Sequence, residues 1–284
     1  MVELLLILAA AAAAAAALAG LGYLLVWFLL HGRRDGPGWE KLEGFRYAHR
    51  GLHGPGVPEN SLAAFRRAAE AGYGAELDVH LTRDGRLVVI HDGDLERMCG
   101  VPGRGAEKTA EELAALRLAG SEEHIPLLEE VLPLFAGRAP LVVELKTDRH
   151  GAAALARDTV DCLDRFSIDY CVESFDPRPL RWLRRHRPSV LRGQLSQNFH
   201  RHPSGQGPWN RLALTNLFYN AFTRPDFVAY RFGDREKPAV RLCRKFGMRM
   251  AYWTLRSRAD VALAEQEGAL PIFEEPDRPK EVTH

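Results

Sequence analysis

The sequence predicts an α/β protein, a (β/α)8 TIM barrel preceded by one N-terminal transmembrane helix. Apolar strand segments alternate with amphipathic helical segments along the body of the chain, which is the pattern of a parallel sheet covered by helices. The body is about 250 residues long, roughly the size of one eight-stranded barrel. With a short hairpin arm set aside, the strand segments number eight, which favours a closed barrel over an open sheet: 45–48, 74–81, 141–145, 170–174, 190–195, 227–231, 250–254 and 270–273.

The first thirty residues contain an unbroken apolar run. The segment from Leu4 to Leu30 carries no charge and, as a helix, is long enough to span a bilayer. Tyr23 and Trp27 lie toward its C-terminal end, where an aromatic belt is expected. We therefore predict a transmembrane anchor over residues 1–31, a linker over 32–44 with a hinge from Gly32 to Gly38, and a barrel domain over 45–284.

A cleavable signal peptide is the competing interpretation of this run. It would require a basic start and a polar cleavage region, whereas the chain begins Met1-Val2-Glu3 and stays apolar up to Leu30. The uncleaved anchor is therefore favoured. Arg33 and Arg34 follow the run, so the positive-inside rule predicts a single-pass membrane protein with its barrel domain in the cytoplasm.

Bulk composition excludes some classes of function. The chain has 284 residues and a formal net charge of +1, so it lacks the strongly basic surface of a nucleic-acid-binding protein. Its four cysteines form no CxxC pair, which argues against a zinc site and against a disulfide framework: Cys99, Cys162, Cys171 and Cys243.

The first barrel strand leads into Ala48-His49-Arg50-Gly51. His49 and Arg50 sit where this strand ends, and Gly51 lets the backbone turn away. Asn60 or Ser61 then caps the next helix. The apolar stripe of that helix is formed by Leu62, Phe65, Ala68 and Ala69.

The second strand is followed by a predicted hairpin. Asp84-Gly85 is a strong turn signal between the strand 74–81 and a return arm over 87–91. Folding the chain about this dipeptide places His91 opposite Asp78. A second histidine is thereby expected beside the acidic residues of the second strand.

Three carboxylates are predicted to converge on a divalent cation. Glu76 and Asp78 are two apart on one strand, so their side chains share a face, where they repel unless a cation lies between them. Glu144, at the end of the next barrel strand, completes an oxygen-ligand site suited to Mg²⁺ or Ca²⁺. Because these strands are otherwise apolar, a solvated surface does not explain all three acids.

Two histidines and two cations accompany the acids. Near neutral pH one of His49 and His91 can accept a proton while the other donates one, and the order stays open. Arg50 offers a fork for phosphate oxygens, and Lys146 offers a point charge. A divalent metal, a pair of cations and two histidines together suit cleavage of a phosphate diester.

At this point the sequence resembles the glycerophosphodiester phosphodiesterases over roughly residues 45–276. The resemblance rests on the order and spacing of several motifs: His49-Arg50-Gly51, Pro58-Glu59-Asn60, Glu76-Leu77-Asp78-Val79, Thr82-Arg83-Asp84-Gly85, His91-Asp92 and Glu144-Leu145-Lys146. It implies a barrel enzyme that cleaves glycerophosphodiesters to glycerol 3-phosphate and an alcohol.

The resemblance also implies roles for individual residues. Glu76, Asp78 and Glu144 would be the metal ligands, and His49 and His91 the acid and base. Arg50 and Lys146 would hold phosphate. Glu59 would contact His49 or Arg50 and hold that side chain in position without touching the substrate. Trp253 fits the family's tryptophan strand end and is expected to pack against substrate or in the core. The match weakens at Ile272-Phe273-Glu274-Glu275-Pro276, where many members have Thr-Asp-x-Pro.

Two further stretches are candidates for membrane contact. Leu214, Leu217, Phe218, Ala221 and Phe222 recur at helical spacing, as in a core or lid helix or in a flap that admits a lipid chain. A basic run follows the strand 170–174, and it is either a solvated helix face or a contact for anionic headgroups: Arg178, Arg181, Arg184, Arg185 and Arg187.

Three functions are consistent with these observations. The leading one is metal-dependent hydrolysis of glycerophosphodiesters with two histidines as acid and base. The second is a lysophospholipase D acting on lysophospholipids at the membrane through the same site. The third is a non-catalytic tethered barrel, which has no need for both the histidines and the acids.

Overall fold

The protein, described from a computed structural model over residues 1–148 and 151–274, contains the predicted closed barrel. The parallel strand β1 pairs with β2 on one side and with β9 on the other, which closes the ring. One short strand, β3, is antiparallel to β2 and lies outside the ring. The strands are β1 Tyr47–His49, β2 Gly74–Leu81, β3 Leu87–Val89, β4 Leu141–Leu145, β5 Tyr170–Ser174, β6 Arg192–Ser196, β7 Phe227–Arg231, β8 Arg249–Leu255 and β9 Leu270–Phe273.

Helices cover the outside of the barrel and precede it. They are α1 Val2–Leu30, α2 Leu62–Glu70, α3 Glu96–Cys99, α4 Ala110–Ala114, α5 Leu128–Phe135, α6 Ala152–Leu163, α7 Pro177–His186, α8 Pro208–Thr215, α9 Asn220–Thr223, α10 Pro238–Lys245 and α11 Arg258–Gln266. The main apolar core lies between strands and helices, because alternate strand residues such as Val143 face outward onto Phe135 and Leu155. As predicted, Ser61 is the N-cap of α2 and accepts a hydrogen bond from the Ala64 N–H.

A second apolar cluster fills the inside of the barrel and is closed from below by the segment that precedes β1. Trp39 and Leu42 are buried against inward-facing strand residues such as Phe227. The rings of Trp39 and Phe227 lie 5.4 Å apart, and the Tyr47 hydroxyl donates to the Leu42 carbonyl over 2.7 Å. Since Phe227 and Tyr47 begin their strands, this segment plugs the N-terminal end of the barrel.

The predicted hinge from Gly32 to Gly38 is wrong, because this segment is packed against the barrel. The Gly32 N–H donates to Met248 Sδ, and a Cβ on Gly32 would come within 2.0 Å of the Pro225 carbonyl oxygen. Arg33 Nε lies 2.5 Å from Oδ1 of the fully buried Asp226. The chain is held at these positions by contacts that sequence spacing does not reveal.

The predicted hairpin is present, but its register differs by one residue. Val79 pairs with Val89, so Ile90 and not His91 lies opposite Asp78, and the Ile90 N–H donates to the Asp78 carbonyl. The turn is a three-residue one, with Gly85 at φ +76° and Thr82 bonded to Arg86. A two-residue turn at Asp84-Gly85 would have given the predicted register.

The predicted single helix across Leu214 to Phe222 is interrupted. Helix α8 ends at Thr215, Leu217 takes a left-handed φ of +60°, and α9 begins only at Asn220. Leu214 and Leu217 are buried, whereas Phe222 is exposed. The apolar periodicity across Leu214 to Phe222 therefore combines residues of two short helices, α8 and α9, that differ in burial.

Candidate active site

Strand register brings the acidic residues together at the C-terminal ends of the parallel strands. Neighbouring strands pair His49 with Glu76, Asp78 with Glu144, and Glu144 with Glu173. Residues that are paired in parallel strands point to the same side of the sheet, and here that side is the barrel interior. The top layer of the barrel is therefore polar where the layer below it is apolar.

The three predicted metal ligands converge. Glu76, Asp78 and Glu144 each offer a carboxylate oxygen, and these oxygens lie within 4.8 Å of one another. All three residues are buried. Lys146 and Arg50 are the cations in contact with them, so three negative charges face two positive ones. Oxygen ligands with an excess of negative charge fit a hard divalent cation such as Mg²⁺ or Ca²⁺.

Burial and neighbouring charges shift the pKa values of these three carboxyl groups in different directions. Burial, followed by the charges of Asp78 and Glu144, raises the pKa of Glu76 well above its ordinary value. Burial raises the pKa of Glu144 to about 7, against the opposing effect of Lys146. Burial also acts to raise the pKa of Asp78, but Lys146, His91 and Arg50 together hold it well below its ordinary value. A cation among the three would relieve this repulsion.

The two predicted phosphate-binding cations are held by carboxylates. Lys146 Nζ lies 2.8 Å from Glu144 Oε1 and 3.1 Å from Asp78 Oδ1. Arg50 Nη1 donates to Glu59 Oε1 over 2.8 Å, and its Nε lies 3.4 Å from Asp78 Oδ2. Glu59 therefore contacts Arg50, one of the two partners expected for it.

Backbone conformation at the end of β1 also serves the site. Arg50 has a left-handed φ of +56°, and its N–H donates to Glu76 Oε2 over 3.1 Å. Gly51 follows at φ +77°, and a Cβ there would lie 2.9 Å from Ala64. Asn60 donates to Asp78 Oδ2 over 2.8 Å, so the residue after Glu59 orients a predicted metal ligand.

His49 is held by a carboxylate at the end of β9. Its Nδ1 lies 2.8 Å from Glu274 Oε1, and its Nε2 lies 3.9 Å from Glu76 Oε2. Burial lowers the pKa of His49, while the bond to Glu274 acts to raise it. Glu274 is in turn fixed by Arg256, whose Nη2 lies 2.8 Å from Oε2. This arrangement leaves Nε2 of His49 as the ring nitrogen that faces the acidic cluster.

His91 has a similar partner. Its Nδ1 lies 2.7 Å from Asp92 Oδ1, and Arg97 pairs with both Asp92 and Glu59. Burial, together with the charges of Lys146 and Arg50, lowers the pKa of His91 to about 4, against the opposing effect of Asp78. Although the hairpin register differs from the prediction, His91 still reaches the site from the loop after β3.

Both histidines line one cavity of about 360 Å³, together with Glu76 and Glu144. Its apolar wall includes Trp253 and Phe175, whose rings meet edge to face at 5.7 Å. Trp253 is half-buried, lines the cavity and also packs against the apolar cluster inside the barrel, so both alternatives for it remain open. The lining includes His49, Arg50, Glu76, His91, Glu144, Lys146, Glu173, Phe175 and Trp253.

Two residues of this site were not predicted from the sequence. Glu173 is buried beside Glu144, and its Oε2 has no hydrogen-bond partner. The available signal was an acidic residue within an otherwise apolar strand, the same signal that marks Glu76, Asp78 and Glu144. Glu274 lies in the stretch that departs from the family pattern, of which Glu275 and Pro276 fall outside the described residues. Its position beside His49 depends on the closure of β9 onto β1.

Comparison with known proteins identifies the family. Residues 49–278 match the model of the glycerophosphoryl diester phosphodiesterase family. This chain belongs to that family. A glycerophosphodiester phosphodiesterase of Caldanaerobacter subterraneus is 30% identical to it over 227 residues, which is 75% of this chain and 86% of the relative.

Solved structures of glycerophosphodiester phosphodiesterases show the same barrel. The Thermotoga maritima enzyme is 26% identical, with a TM-score of 0.62 over 82% of this chain and 95% of its own. An Oleispira antarctica phosphodiesterase, solved with the product sn-glycerol-3-phosphate, shares the fold at 20% identity, with a TM-score of 0.68 over 82% of this chain and 94% of its own. By its family, the chain described here is a phosphoric diester hydrolase. The alternative of a non-catalytic barrel gains no support from these comparisons.

Proposed function

We propose that this chain hydrolyses glycerophosphodiesters to glycerol 3-phosphate and an alcohol, with a divalent cation at Glu76, Asp78 and Glu144. The observation that carries the proposal is the buried cluster of three carboxylates, with oxygens within 4.8 Å of one another, on a cavity that both histidines line. Bound there, the cation would polarise the phosphate and lower the pKa of the attacking hydroxyl. Mg²⁺ and Ca²⁺ both suit the ligands.

The chain's own residues orient the phosphate and move the protons. Lys146 and Arg50 supply two positive charges beside the cluster, and they would bind the phosphate oxygens. His49 and His91 each place Nδ1 on a carboxylate, so both Nε2 atoms are available to the substrate. One would take the proton of the attacking water or glycerol hydroxyl, and the other would give a proton to the leaving alcohol.

The test is a panel of soluble diesters assayed with the full chain in detergent, with and without a chelator. We expect turnover of glycerophosphocholine that a chelator abolishes and that Mg²⁺ or Ca²⁺ restores. The variant His91→Ala should lose most turnover but bind the cation as well as the unaltered chain does. Chelator-resistant turnover would refute the role of the cation, and a fully active His91→Ala enzyme would refute the acid–base assignment.

A second candidate substrate is a lysophospholipid, and one observation favours it. A groove of about 1040 Å³ shares His91, Glu144 and Lys146 with the catalytic cavity and extends outward to Leu214, Tyr219 and Phe222. Such a groove has room for an acyl chain attached to the glycerol. Faster turnover of lysophosphatidylcholine than of glycerophosphocholine would support this substrate. The Phe222→Ser variant should then slow only the acylated one.

We also propose that α1 anchors the enzyme in a membrane, with the barrel in the cytoplasm. Helix α1 is apolar, exposed from Val2 to Phe28, and at 29 residues long enough to cross a bilayer. Arg33 and Arg34 lie three and four residues after its last residue, Leu30. Retention of the full chain in the membrane fraction after alkaline washing would support the anchor, whereas release of a shortened chain would indicate signal cleavage.

A further inference from the structure

The exposed apolar side chains of the barrel are concentrated in one connection. Among the described residues outside α1, the exposed large apolar ones are Trp209 at 80%, Phe222 at 54% and Leu212 at 40%. All three lie between β6 and β7. A single exposed apolar residue is ordinary, but several in one place mark an interaction site.

These three residues belong to one continuous surface, which we call the α8–α9 patch. Trp209 and Leu212 are three apart on α8 and therefore share a helix face. The Tyr219 hydroxyl donates to Asn210 Oδ1 over 2.7 Å, and the ring of Tyr219 lies 6.5 Å from that of Phe222. Arg184 of α7 donates to the Phe222 carbonyl, which adds a cation to the edge of the patch.

The patch adjoins the end of α1, and that end is fixed to the barrel. Asn220 of α9 donates to the Leu30 carbonyl over 2.9 Å. Arg224 donates to the Phe28 carbonyl over 2.7 Å, and its guanidinium lies 4.5 Å from the centre of the Phe28 ring. With Leu30 buried and Arg33 paired to Asp226, α1 cannot swing freely relative to the barrel.

The length of α1 bears on the depth, relative to a bilayer, at which the barrel contacts this helix. Its 29 residues extend about 44 Å, whereas the hydrocarbon core of a bilayer is about 30 Å thick and needs about 20 residues. The remaining residues include Tyr23, whose ring packs edge to face on Phe246 at 6.0 Å, and Phe28, which contacts Arg224. With the hydrocarbon placed on the first twenty residues of α1, the barrel meets the helix where the hydrocarbon ends, and the patch lies at the level of the headgroups.

We propose that the α8–α9 patch is a second membrane contact, in which Trp209, Leu212 and Phe222 enter the headgroup layer of the bilayer that α1 spans. The proposal rests on α1 being a membrane span. Aromatic and apolar side chains are stable at this depth. Arg184 at the edge of the patch suits anionic lipid phosphates. The contact fixes the barrel with the β6–β7 side against the membrane.

The test measures the depth of labelled positions in the full chain. Cys99, the cysteine that is not buried, is replaced by serine, while the buried Cys162, Cys171 and Cys243 stay. One exposed cysteine is then introduced by Trp209→Cys, Phe222→Cys or Ala115→Cys and labelled with a bimane fluorophore. Ala115 is the matched control, because it is exposed at the end of α4, in the β3–β4 connection on the other side of the barrel. Each protein is placed in vesicles of phosphatidylcholine and phosphatidylglycerol with either brominated or ordinary acyl chains.

We expect the brominated lipid to quench bimane at positions 209 and 222 and to leave it unquenched at 115. Equal fluorescence in both lipids at all three positions would overturn the proposal, as would quenching at 115 equal to that at 209. Failure of the full chain to associate with vesicles would overturn it as well. Quenching does not depend on turnover, so this result is separate from the test of the diesterase activity.

Discussion

Replacing Glu274 tests whether the catalytic role proposed for His49 depends on the carboxylate bonded to its Nδ1. The perturbation is Glu274→Gln, which keeps the shape of the side chain and removes its charge. Glu274 lies 2.8 Å from His49 Nδ1 and is itself held by Arg256, and its pKa is lowered to about 2 despite partial burial, so it is an anion at every working pH. The variant should leave the metal ligands in place.

The size of the effect follows from the bond that is lost. A hydrogen bond to a charged group contributes about 1.5–3 kcal/mol, which corresponds to a factor of about 10 to 150 in rate. Both groups are partly buried, at 12% and 25% side-chain exposure, so screening by solvent reduces but does not remove this effect. We expect kcat for glycerophosphocholine to fall about 10- to 100-fold, with KM changed by less than about threefold.

Two further variants make this experiment specific. Glu274→Asp keeps the charge on a shorter side chain and should recover part of the lost kcat. Glu265→Gln removes an exposed carboxylate of α11, which pairs with Arg46 before β1, and should leave kcat unchanged. A Glu274→Gln enzyme with full kcat would refute the reasoning, because His49 would then need no partner at Nδ1.

Three other predictions concern the second histidine, the acidic cluster and the barrel plug. His91→Ala should lower kcat about 100-fold or more while calorimetry still detects cation binding. Because the pKa of Glu144 is raised to about 7, the folded protein binds a proton there that the unfolded chain releases, so cation-free stability falls as pH rises. In urea unfolding of the chelator-treated enzyme, the free energy of unfolding should fall by on the order of 1 kcal/mol more than that of Glu144→Gln between about pH 6 and pH 8. Trp39→Ala should destabilise the barrel by about 3–5 kcal/mol in the same unfolding assay, because the buried indole leaves a cavity.

The sequence was sufficient for the barrel and for most of the site because strand periodicity determines both. Once Glu76 and Asp78 are placed on one strand and Glu144 on its neighbour, closing the sheet brings them together. The eight strands could be counted because each is a short apolar run bounded by polar residues. The same alternation separates the barrel interior from the outer core without knowledge of the helices.

The parts that could not be predicted depend on contacts distant in sequence or on turn geometry. Glu274 reaches His49 only because β9 closes onto β1, and the two residues are 225 positions apart. The hairpin register was missed by one residue because a glycine with positive φ fits a three-residue loop as well as the commoner two-residue turn. Gly32 and Gly36 suggested a hinge. Instead, a side chain does not fit at either position, because Pro225 approaches Gly32 and Asp226 approaches Gly36 too closely.

Calorimetric titration of Mg²⁺ and Ca²⁺ into the chelator-treated full chain tests the central claim most directly. The account predicts one site per chain for at least one of the two ions, lost in both Glu76→Gln and Asp78→Asn and retained in His91→Ala. Binding of the same strength in Asp78→Asn as in the unaltered chain would contradict it, and so would an unaltered chain that turns over diesters but binds neither ion.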